Sequence, residues 1–368
     1  MKNFALLLLM TGVLGCVSNK KTAESSFEKP GNIIFLIGDG MGLSAVTTGF
    51  YYGEGPSVFN RFKDIGLICT SSATHRVTDS GASGTAMATG VKTYNGAIGV
   101  DSLKNSVRNI TEVLSDKGFS TGLVVTSSIT HATPACFYAH VERRNMEEMI
   151  ASQLLDSEID FFAGGGIRFF SRRRDGKDLL SIASEKGFII DTSALKRPEN
   201  PGENQKFGFL LADNGMPPAA RGRGGFLPDA TDLAIQDLSA NGAGFFLMVE
   251  GSQIDWAGHE NNVDYLVTEM LDFEKAIGAA MDFAEKDGHT LVVVTADHET
   301  GGFTLSGYTD EKTGHEDYSR LGPSFATRGH SATLIPVFAY GPGAEEFKGI
   351  YENSDLFHKM VSLAVLPE

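Results

Sequence analysis

The apolar run NIIFLI at positions 32–37 most constrains the fold of this chain. Its apolar residues do not alternate with polar ones, so a strand formed here must be buried on both faces. Strands of that kind belong to parallel sheets covered by helices on both faces. Further strand candidates follow at 66–69, 121–125, 161–163, 188–190, 245–249, 291–295 and 337–339. Helical patterns are clearest at 110–117, 230–241, 263–286 and 354–366. The alternation predicts an α/β fold: a mostly parallel central sheet with helices on both faces.

Length and composition fit one large α/β domain. The chain has 368 residues, of which 42% are hydrophobic and 43 are glycines, so a sizeable core with many tight turns is expected. No repeat or low-complexity linker divides it, and we predict one domain over residues 30–368. Residues 196–223 and 307–328 are irregular and are predicted as surface insertions near the rim of a site. The net charge of −15 argues against binding of nucleic acid.

The first residues are typical of a targeting segment. Lys2 precedes an apolar run that is shorter than the about 20 residues needed to span a bilayer, so residues 1–15 are predicted to be a signal peptide. The sequence Val-Leu-Gly-Cys ending at Cys16 resembles a bacterial lipobox, which predicts a lipid anchor on Cys16. An ordinary secretory signal with a chance cysteine is the alternative. Residues 16–29 are then a polar tether, and the protein is exported, either periplasmic or membrane-anchored as a lipoprotein of a bacterium.

Two cysteines follow Cys16, namely Cys69 and Cys136. Export makes a disulfide between them possible. Two buried free thiols are the favoured interpretation, because small apolar cysteines are common in cores. No Cys-x-x-Cys zinc pattern is present.

The segment VTDSGASGTA at positions 77–86 places Ser80 after a β-rich segment and before tiny residues that favour a helix. A serine at a helix N-terminus lies where free N–H groups and the helix dipole favour an anion such as phosphate. Gly81, Ala82 and Gly84 would leave room for a bulky anion to approach the backbone. The alternative is that Ser80 is an ordinary N-cap.

Carboxylates and histidines follow three of the predicted strands. In doubly wound sheets, ligands bind beyond the carboxyl ends of strands, so these residues are expected to lie together. Histidine with aspartate is typical of zinc sites, whereas oxygen-only sets favour magnesium. A further histidine precedes the last predicted strand. The candidates are Asp39, Glu250, Asp255, His259, Asp297, His298 and His330.

The segment from His131 to Arg144 adds Thr133 as a candidate magnesium ligand and an arginine pair, Arg143 and Arg144. Two metal ions about 4 Å apart can neutralise a phosphate monoester and lower the pKa of a serine hydroxyl. An arginine can bind the phosphate oxygens in a bidentate manner. Taken alone, however, adjacent arginines are usually only solvated.

These segments resemble the alkaline phosphatase family, in that family's order, at 32–41, 77–90, 131–144, 249–259, 295–298 and 329–342. The resemblance implies a three-layer α/β sandwich around a large, mainly parallel sheet, usually as a homodimer. It implies hydrolysis of phosphate monoesters at alkaline pH, with release of inorganic phosphate through a phosphoserine intermediate. The implied cofactors are two Zn²⁺ ions and one Mg²⁺ ion.

The resemblance also implies a role for each site residue. Ser80 is the nucleophile, and Arg144, in preference to Arg143, binds the phosphate. The zinc that activates Ser80 is implied to be held by Asp39, Asp297 and His298. The second zinc is implied to be held by Asp255, His259 and His330. The magnesium set is Asp39, Thr133 and Glu250.

Two positions vary within the family. His131 stands where some members carry aspartate near the magnesium, which leaves the strength of that site open. Trp256 stands where some carry lysine or histidine, and is either a water-mediated phosphate contact or a packing residue. A phosphodiesterase or sulfatase of the same superfamily and a non-catalytic metal- or phosphate-binding lipoprotein are the alternative functions. The sulfatase pattern Cys-x-Pro-x-Arg is absent, and Ser80 with Arg144 favours monoesters.

Overall fold

The computed structural model describes residues 31–198 and 205–364. Its strands are β1 (Asn32–Gly38), β2 (Asp64–Cys69), β3 (Ser120–Ser128), β4 (Phe161–Gly165), β5 (Phe188–Asp191), β6 (Lys206–Leu210), β7 (Phe245–Gly251), β8 (Thr290–Thr295), β9 (Glu299–Thr300), β10 (Thr304–Thr309), β11 (Glu316–Ser324), β12 (His330–Ser331), β13 (Ile335–Tyr340) and β14 (Gly349–Glu352). Its α-helices are α1 (Leu43–Tyr52), α2 (Ser80–Thr89), α3 (Ile110–Ser115), α4 (Ala132–Ala135), α5 (Glu147–Leu154), α6 (Arg168–Ser171), α7 (Leu179–Glu185), α8 (Phe226–Leu238), α9 (Gln253–Glu260), α10 (Val263–Asp287) and α11 (Asp355–Leu363).

A ten-stranded sheet in the order β14-β2-β13-β8-β1-β7-β3-β4-β6-β5 forms the centre of the fold. β13 runs antiparallel to both of its neighbours, and the other pairs in this sheet are parallel. All eight strands that the apolar patterns predict lie in it. The predicted α/β fold with a large, mostly parallel sheet is therefore confirmed.

Helices cover both faces of this sheet. Successive residues of a strand point to opposite faces. On β7, the ring of Phe245 lies 5.9 Å from that of Phe283 on α10, and the ring of Phe246 lies 6.1 Å from that of Phe137, just after α4. Both strand residues are fully buried, which is why the strand sequence carries no polar alternation.

Both predicted insertions contain regular structure. Residues 196–223 include β6, which lies between β4 and β5 in the central sheet. The prediction that the whole of this stretch is a surface insertion is therefore wrong. Residues 307–328 include most of an antiparallel hairpin formed by β10 and β11. In both cases backbone pairing with a neighbouring strand makes a strand where the local sequence shows weak periodicity.

Cys69 and Cys136 are free thiols, as favoured, but Cys136 is buried whereas Cys69 is only partly buried. The predicted signal peptide, Cys16 and the tether at 16–29 lie outside the described residues. Within 31–198 and 205–364, the structure contains no helix that is both long and apolar enough to span a membrane.

Candidate active site

Neighbouring parallel strands end in register at one edge of the sheet. Ile37 at the end of β1 is paired with Glu250 on β7 and with Thr295 on β8, and Val125 on β3 is paired with the same glutamate. The residues at or just after these strand ends therefore meet, although Asp39 is more than 200 positions from Glu250 and from Asp297 in the chain. Three of them, Asp39, Glu250 and Asp297, are fully buried.

Ser80 is brought to this edge by α2. It is the first residue of the helix, is 2% exposed, and its Oγ lies 3.4 Å from Nε2 of His298. The N-cap is Asp79, whose side chain accepts from the N–H of Ala82, so Ser80 is not itself the cap. Its hydroxyl is consequently available for chemistry at the helix N-terminus.

Two glycines of α2 allow the helix to pack closely against its neighbours. A Cβ on Gly81 would lie 2.9 Å from the carbonyl oxygen of Ala97, and one on Gly84 would lie 3.0 Å from Sγ of Cys136. These glycines therefore allow a helix whose residues are all buried to pack closely.

Arg144 points into the site, whereas Arg143 is exposed. An Nη1 of Arg144 donates to Oδ2 of Asp79 at 3.0 Å, and its Nη2 lies 3.3 Å from Nε2 of His131. The sequence interpretation did not include Asp79, although an aspartate directly before a helix is an N-cap signal. This carboxylate joins the guanidinium to the helix that carries Ser80.

Two of the site histidines have their tautomers set by backbone carbonyls. Nδ1 of His259 lies 2.5 Å from the carbonyl oxygen of Arg328, and Nδ1 of His330 lies 2.8 Å from that of Thr78. A carbonyl oxygen only accepts, so each neutral ring donates from Nδ1 and has a bare Nε2. The two Nε2 atoms lie 3.2 Å apart and 3.3 and 3.5 Å from Oδ1 of Asp255. A cation between them would satisfy all three atoms.

Several buried polar atoms in this site have no hydrogen-bond partner. Among the described residues, Oδ1 of Asp39, Oδ2 of Asp297, Oε1 of Glu250 and Nδ1 of His131 have none. Buried polar atoms are normally paired, so a cluster of unpartnered carboxylate oxygens and an imidazole nitrogen fits a metal site. The donor types fit zinc and magnesium.

The groups that could hold an ion overlap strongly with the predicted ligand sets. Three sets have ligand atoms within 4.8 Å of one another: Asp39 with Asp297 and His298; Asp255 with His298 and His330; and Asp39 with His131 and Glu250. The first matches the predicted set for the zinc near Ser80. The second contains His298 instead of His259, whose side chain is 41% exposed. His259 remains a predicted ligand because its Nε2 faces Asp255 and His330.

Burial and mutual repulsion shift the pKa values of these groups so that the neutral forms are favoured. Burial, together with the carboxylates of Asp297, Asp255 and Glu250, raises the pKa of Asp39 well above its usual value. Burial raises the pKa of Glu250 to about 8. Burial also lowers the pKa of His298 to about 3, which keeps the ring neutral. Cations would relieve the cost of ionised carboxylates here and need neutral imidazoles as ligands.

The third set lies on the side of the site nearest Arg144. Oγ1 of Thr133 lies 3.5 Å from Oδ2 of Asp39, and Oγ of Ser127 donates to Oε2 of Glu250 at 3.3 Å. The ring of Trp256 lies edge-on to His131, with centroids 6.1 Å apart. A Cβ on Gly215 would lie 2.5 Å from the Trp256 ring, so this tryptophan packs tightly against the loop after β6.

The comparisons with known proteins agree with this geometry. A family model described as alkaline phosphatase matches residues 30–320, most of the chain. The chain belongs to the alkaline phosphatase family. It is 35% identical to alkaline phosphatase 4 of Bacillus subtilis over 436 aligned positions, covering 95% of this chain and 93% of the relative. It is 33% identical to the alkaline phosphatase of Escherichia coli, covering 92% and 87%.

A solved structure of alkaline phosphatase from the Antarctic bacterium TAB5 superposes on this alkaline phosphatase-family fold with a TM-score of 0.90 and 52% identity, covering 93% of this chain and 100% of that chain. These likenesses show an enzyme of the phosphatase class that acts on phosphate monoesters, and the family implies bound metal ions. The predicted family and enzyme class are confirmed.

Proposed function

We propose that this enzyme hydrolyses phosphate monoesters at alkaline pH by attack of Ser80 on phosphorus, through a phosphoserine, at a site built for two zinc ions and one magnesium ion. The observation that carries the proposal is the position of Ser80 Oγ. It lies at the N-terminus of α2, 3.4 Å from Nε2 of His298, and that nitrogen in turn faces one unpartnered oxygen each of Asp39 and Asp297.

The residues present fit the three ions. One zinc would be held by Asp39, Asp297 and His298; the second by Asp255, His259 and His330; magnesium by Asp39, Thr133 and Glu250. When bound, these cations supply charge neutralisation and a lowered hydroxyl pKa at Ser80. Support comes from the histidines whose Nδ1 atoms are held by carbonyls, which is how proteins orient imidazole ligands.

The protein groups then act in sequence. Arg144 and the free N–H groups at the start of α2 bind the phosphate oxygens and orient phosphorus towards Ser80. Ser80 Oγ forms a bond to phosphorus as the bond to the alcohol oxygen breaks, and the alcohol leaves from the opposite side. Water then attacks phosphorus of the phosphoserine from that same side, the bond between Oγ and phosphorus breaks, Ser80 regains a proton from the water, and inorganic phosphate is released. Each step inverts the configuration at phosphorus, so the product has the same configuration at phosphorus as the substrate.

The test is hydrolysis of p-nitrophenyl phosphate at alkaline pH, with zinc and magnesium, after chelation, and with Ser80→Ala. We expect chelator-sensitive turnover, and loss of most turnover in Ser80→Ala with metal content unchanged. Ser115→Ala, a serine on α3 outside the site, is the matched control. Near-wild-type turnover in Ser80→Ala contradicts the assignment. Faster hydrolysis of the nitrophenyl diester would indicate a diesterase, and absence of turnover with metals bound would indicate a binding protein.

We also propose export with a lipid anchor on Cys16, and a homodimer, for which the support is the sequence pattern and the family resemblance. Labelling with radioactive palmitate in a bacterial host should mark the wild-type chain and leave Cys16→Ser unlabelled. Light scattering coupled to size exclusion should give twice the chain mass. Label retained in the variant contradicts the anchor, and the mass of one chain contradicts the dimer.

A further inference from the structure

Thr300 lies between residues of the two candidate zinc sets. It is 1% exposed, and its hydroxyl lies 2.5 Å from Oδ1 of Asp255 and 3.2 Å from Nδ1 of His298. Asp255 lies on α9, which follows β7, and His298 follows β8, so one side chain contacts residues that come after two neighbouring segments of the sheet. The sequence interpretation did not include this threonine.

A hydroxyl has a single hydrogen, and this determines the direction of both contacts. A carboxylate oxygen only accepts, so Thr300 donates its hydrogen to Asp255. Towards His298 it can then only accept, and the hydrogen in that contact must be on Nδ1. Nε2 of His298 is therefore bare, and it faces Oδ2 of Asp297 at 3.1 Å and Oδ1 of Asp39 at 3.6 Å.

The backbone holds Thr300 at this point. Its N–H donates to the carbonyl oxygen of Gly40 at 3.1 Å, next to Asp39, and it is the cross-strand partner of His330 in the β9–β12 ladder. A Cβ on Gly40 would lie 2.8 Å from Oγ1 of Thr300, and one on Gly258 would lie 2.9 Å from its Cγ2. The absence of side chains at both glycines is what lets the threonine approach this closely.

We propose that Thr300 is a positioning residue that couples the two zinc sites. Its hydroxyl sets the tautomer of His298, a ligand of the first zinc, and orients the Asp255 carboxylate, a ligand of the second. The inference rests on the proposed two-zinc site and deepens it. Removal of this single hydroxyl should therefore lower the zinc affinity of both sites together. The loss of one ligand side chain, in contrast, lowers mainly the affinity of the site to which it belongs.

The test measures zinc binding by competition with a chromophoric chelator. Thr300→Val keeps the shape and removes the hydroxyl, and Thr300→Ser keeps the hydroxyl and removes the methyl group. We expect Thr300→Val to lose about 10- to 100-fold in zinc affinity at both sites, the range typical of residues that orient metal ligands. Thr300→Ser should bind zinc as the wild type does. Circular dichroism of the metal-free variants shows whether each has folded.

Thr231→Val is the matched control, because Thr231 is a fully buried threonine on α8 whose hydroxyl donates to the carbonyl oxygen of Leu227. Its zinc affinity should equal that of the wild type. Wild-type affinity in Thr300→Val overturns the inference and leaves the proposed function intact. Equal losses in Thr300→Val and Thr300→Ser also overturn it, because packing would then be responsible. A wild-type protein that binds no zinc contradicts the proposed function itself.

Discussion

At the scale of single residues, Asp79 connects the start of α2 to Arg144. Its carboxylate accepts from the N–H of Ala82, from the N–H of Gly96 at 2.9 Å, and from Arg144 at 3.0 Å. Burial opposes ionisation, but these donors outweigh it and lower the pKa of Asp79. The carboxylate is thus ionised at any pH where the enzyme works, and it sets the position of Arg144 relative to Ser80.

Asp79→Asn should weaken phosphate binding. Asparagine is an equally good N-cap, so α2 is kept while the ion pair with Arg144 is lost. The pair is partly exposed, so its contribution is modest, and we expect the inhibition constant of inorganic phosphate to rise about two- to fivefold. Steady-state inhibition measures it. An unchanged constant in both Asp79→Asn and Asp79→Ala contradicts a role for Asp79 in orienting Arg144.

His131→Asp should tighten magnesium binding several-fold. A carboxylate oxygen is a preferred magnesium ligand, whereas a neutral imidazole is not. Nδ1 of His131 is a buried atom without a hydrogen-bond partner, and the residue belongs to the candidate ion-binding set with Asp39 and Glu250. The measurement is the magnesium dependence of activity. His289→Asp makes the same change at an exposed position before β8, and unchanged dependence in His131→Asp contradicts the prediction.

At the scale of elements, α3 shows how a helix end is tied to the segment that leads to Arg144. Asn109 accepts from the N–H of Glu112, and the carboxylate of Glu112 accepts from the N–H of Asn109, which forms a capping box. The same carboxylate lies 3.4 Å from Nε2 of His140, whose Nδ1 lies 2.7 Å from the carbonyl oxygen of Gly99. The hydrogen bond to Glu112 raises the pKa of His140.

His140→Gln should therefore destabilise the protein most at mildly acidic pH. Because the pKa of His140 is higher in the folded protein, protonated His140 stabilises the fold. This stabilisation is fully present below the unfolded pKa of about 6.5 and disappears as the pH rises through the folded pKa. Although burial opposes it, the hydrogen bond from His140 lowers the pKa of Glu112, so Glu112 stabilises the fold at pH values above its own unfolded pKa. The loss of stability in His140→Gln is therefore largest between the unfolded pKa of Glu112 and that of His140. Thermal melts of wild type and variant at pH 6 and pH 9 measure it. A difference in melting temperature between wild type and variant that is larger at pH 9 than at pH 6 contradicts the stabilising role of protonated His140.

At the scale of the whole molecule, the sheet concentrates like charges at one edge. Asp39, Glu250 and Asp297 are fully buried within a chain of net charge −15. Ionised carboxylates in such a place are costly without cations. The same arrangement that suits the site to metal ions therefore opposes folding in their absence.

Removal of the metals should accordingly lower the melting temperature. Ligands that bind only the folded state stabilise it by about 2.7 kcal/mol per site when present at 100 times their dissociation constant. Thermal unfolding before and after chelation, and after zinc and magnesium are restored, measures the effect. Glu250→Gln, which removes one buried charge, should show a smaller loss on chelation. A melting temperature that chelation does not change contradicts this account.

The sequence by itself determined the eight principal strands, the α/β class and the chemistry at the strand ends. These follow from local properties: apolar runs that need burial on both faces, and polar residues where such runs stop. The direction of β13, the inclusion of β6 in the sheet, and the contacts of Asp79 with Arg144 and of Thr300 with Asp255 were decided only by the tertiary structure. Each joins residues 45 or more positions apart, or depends on pairing with a neighbouring strand, and no local pattern contains that information.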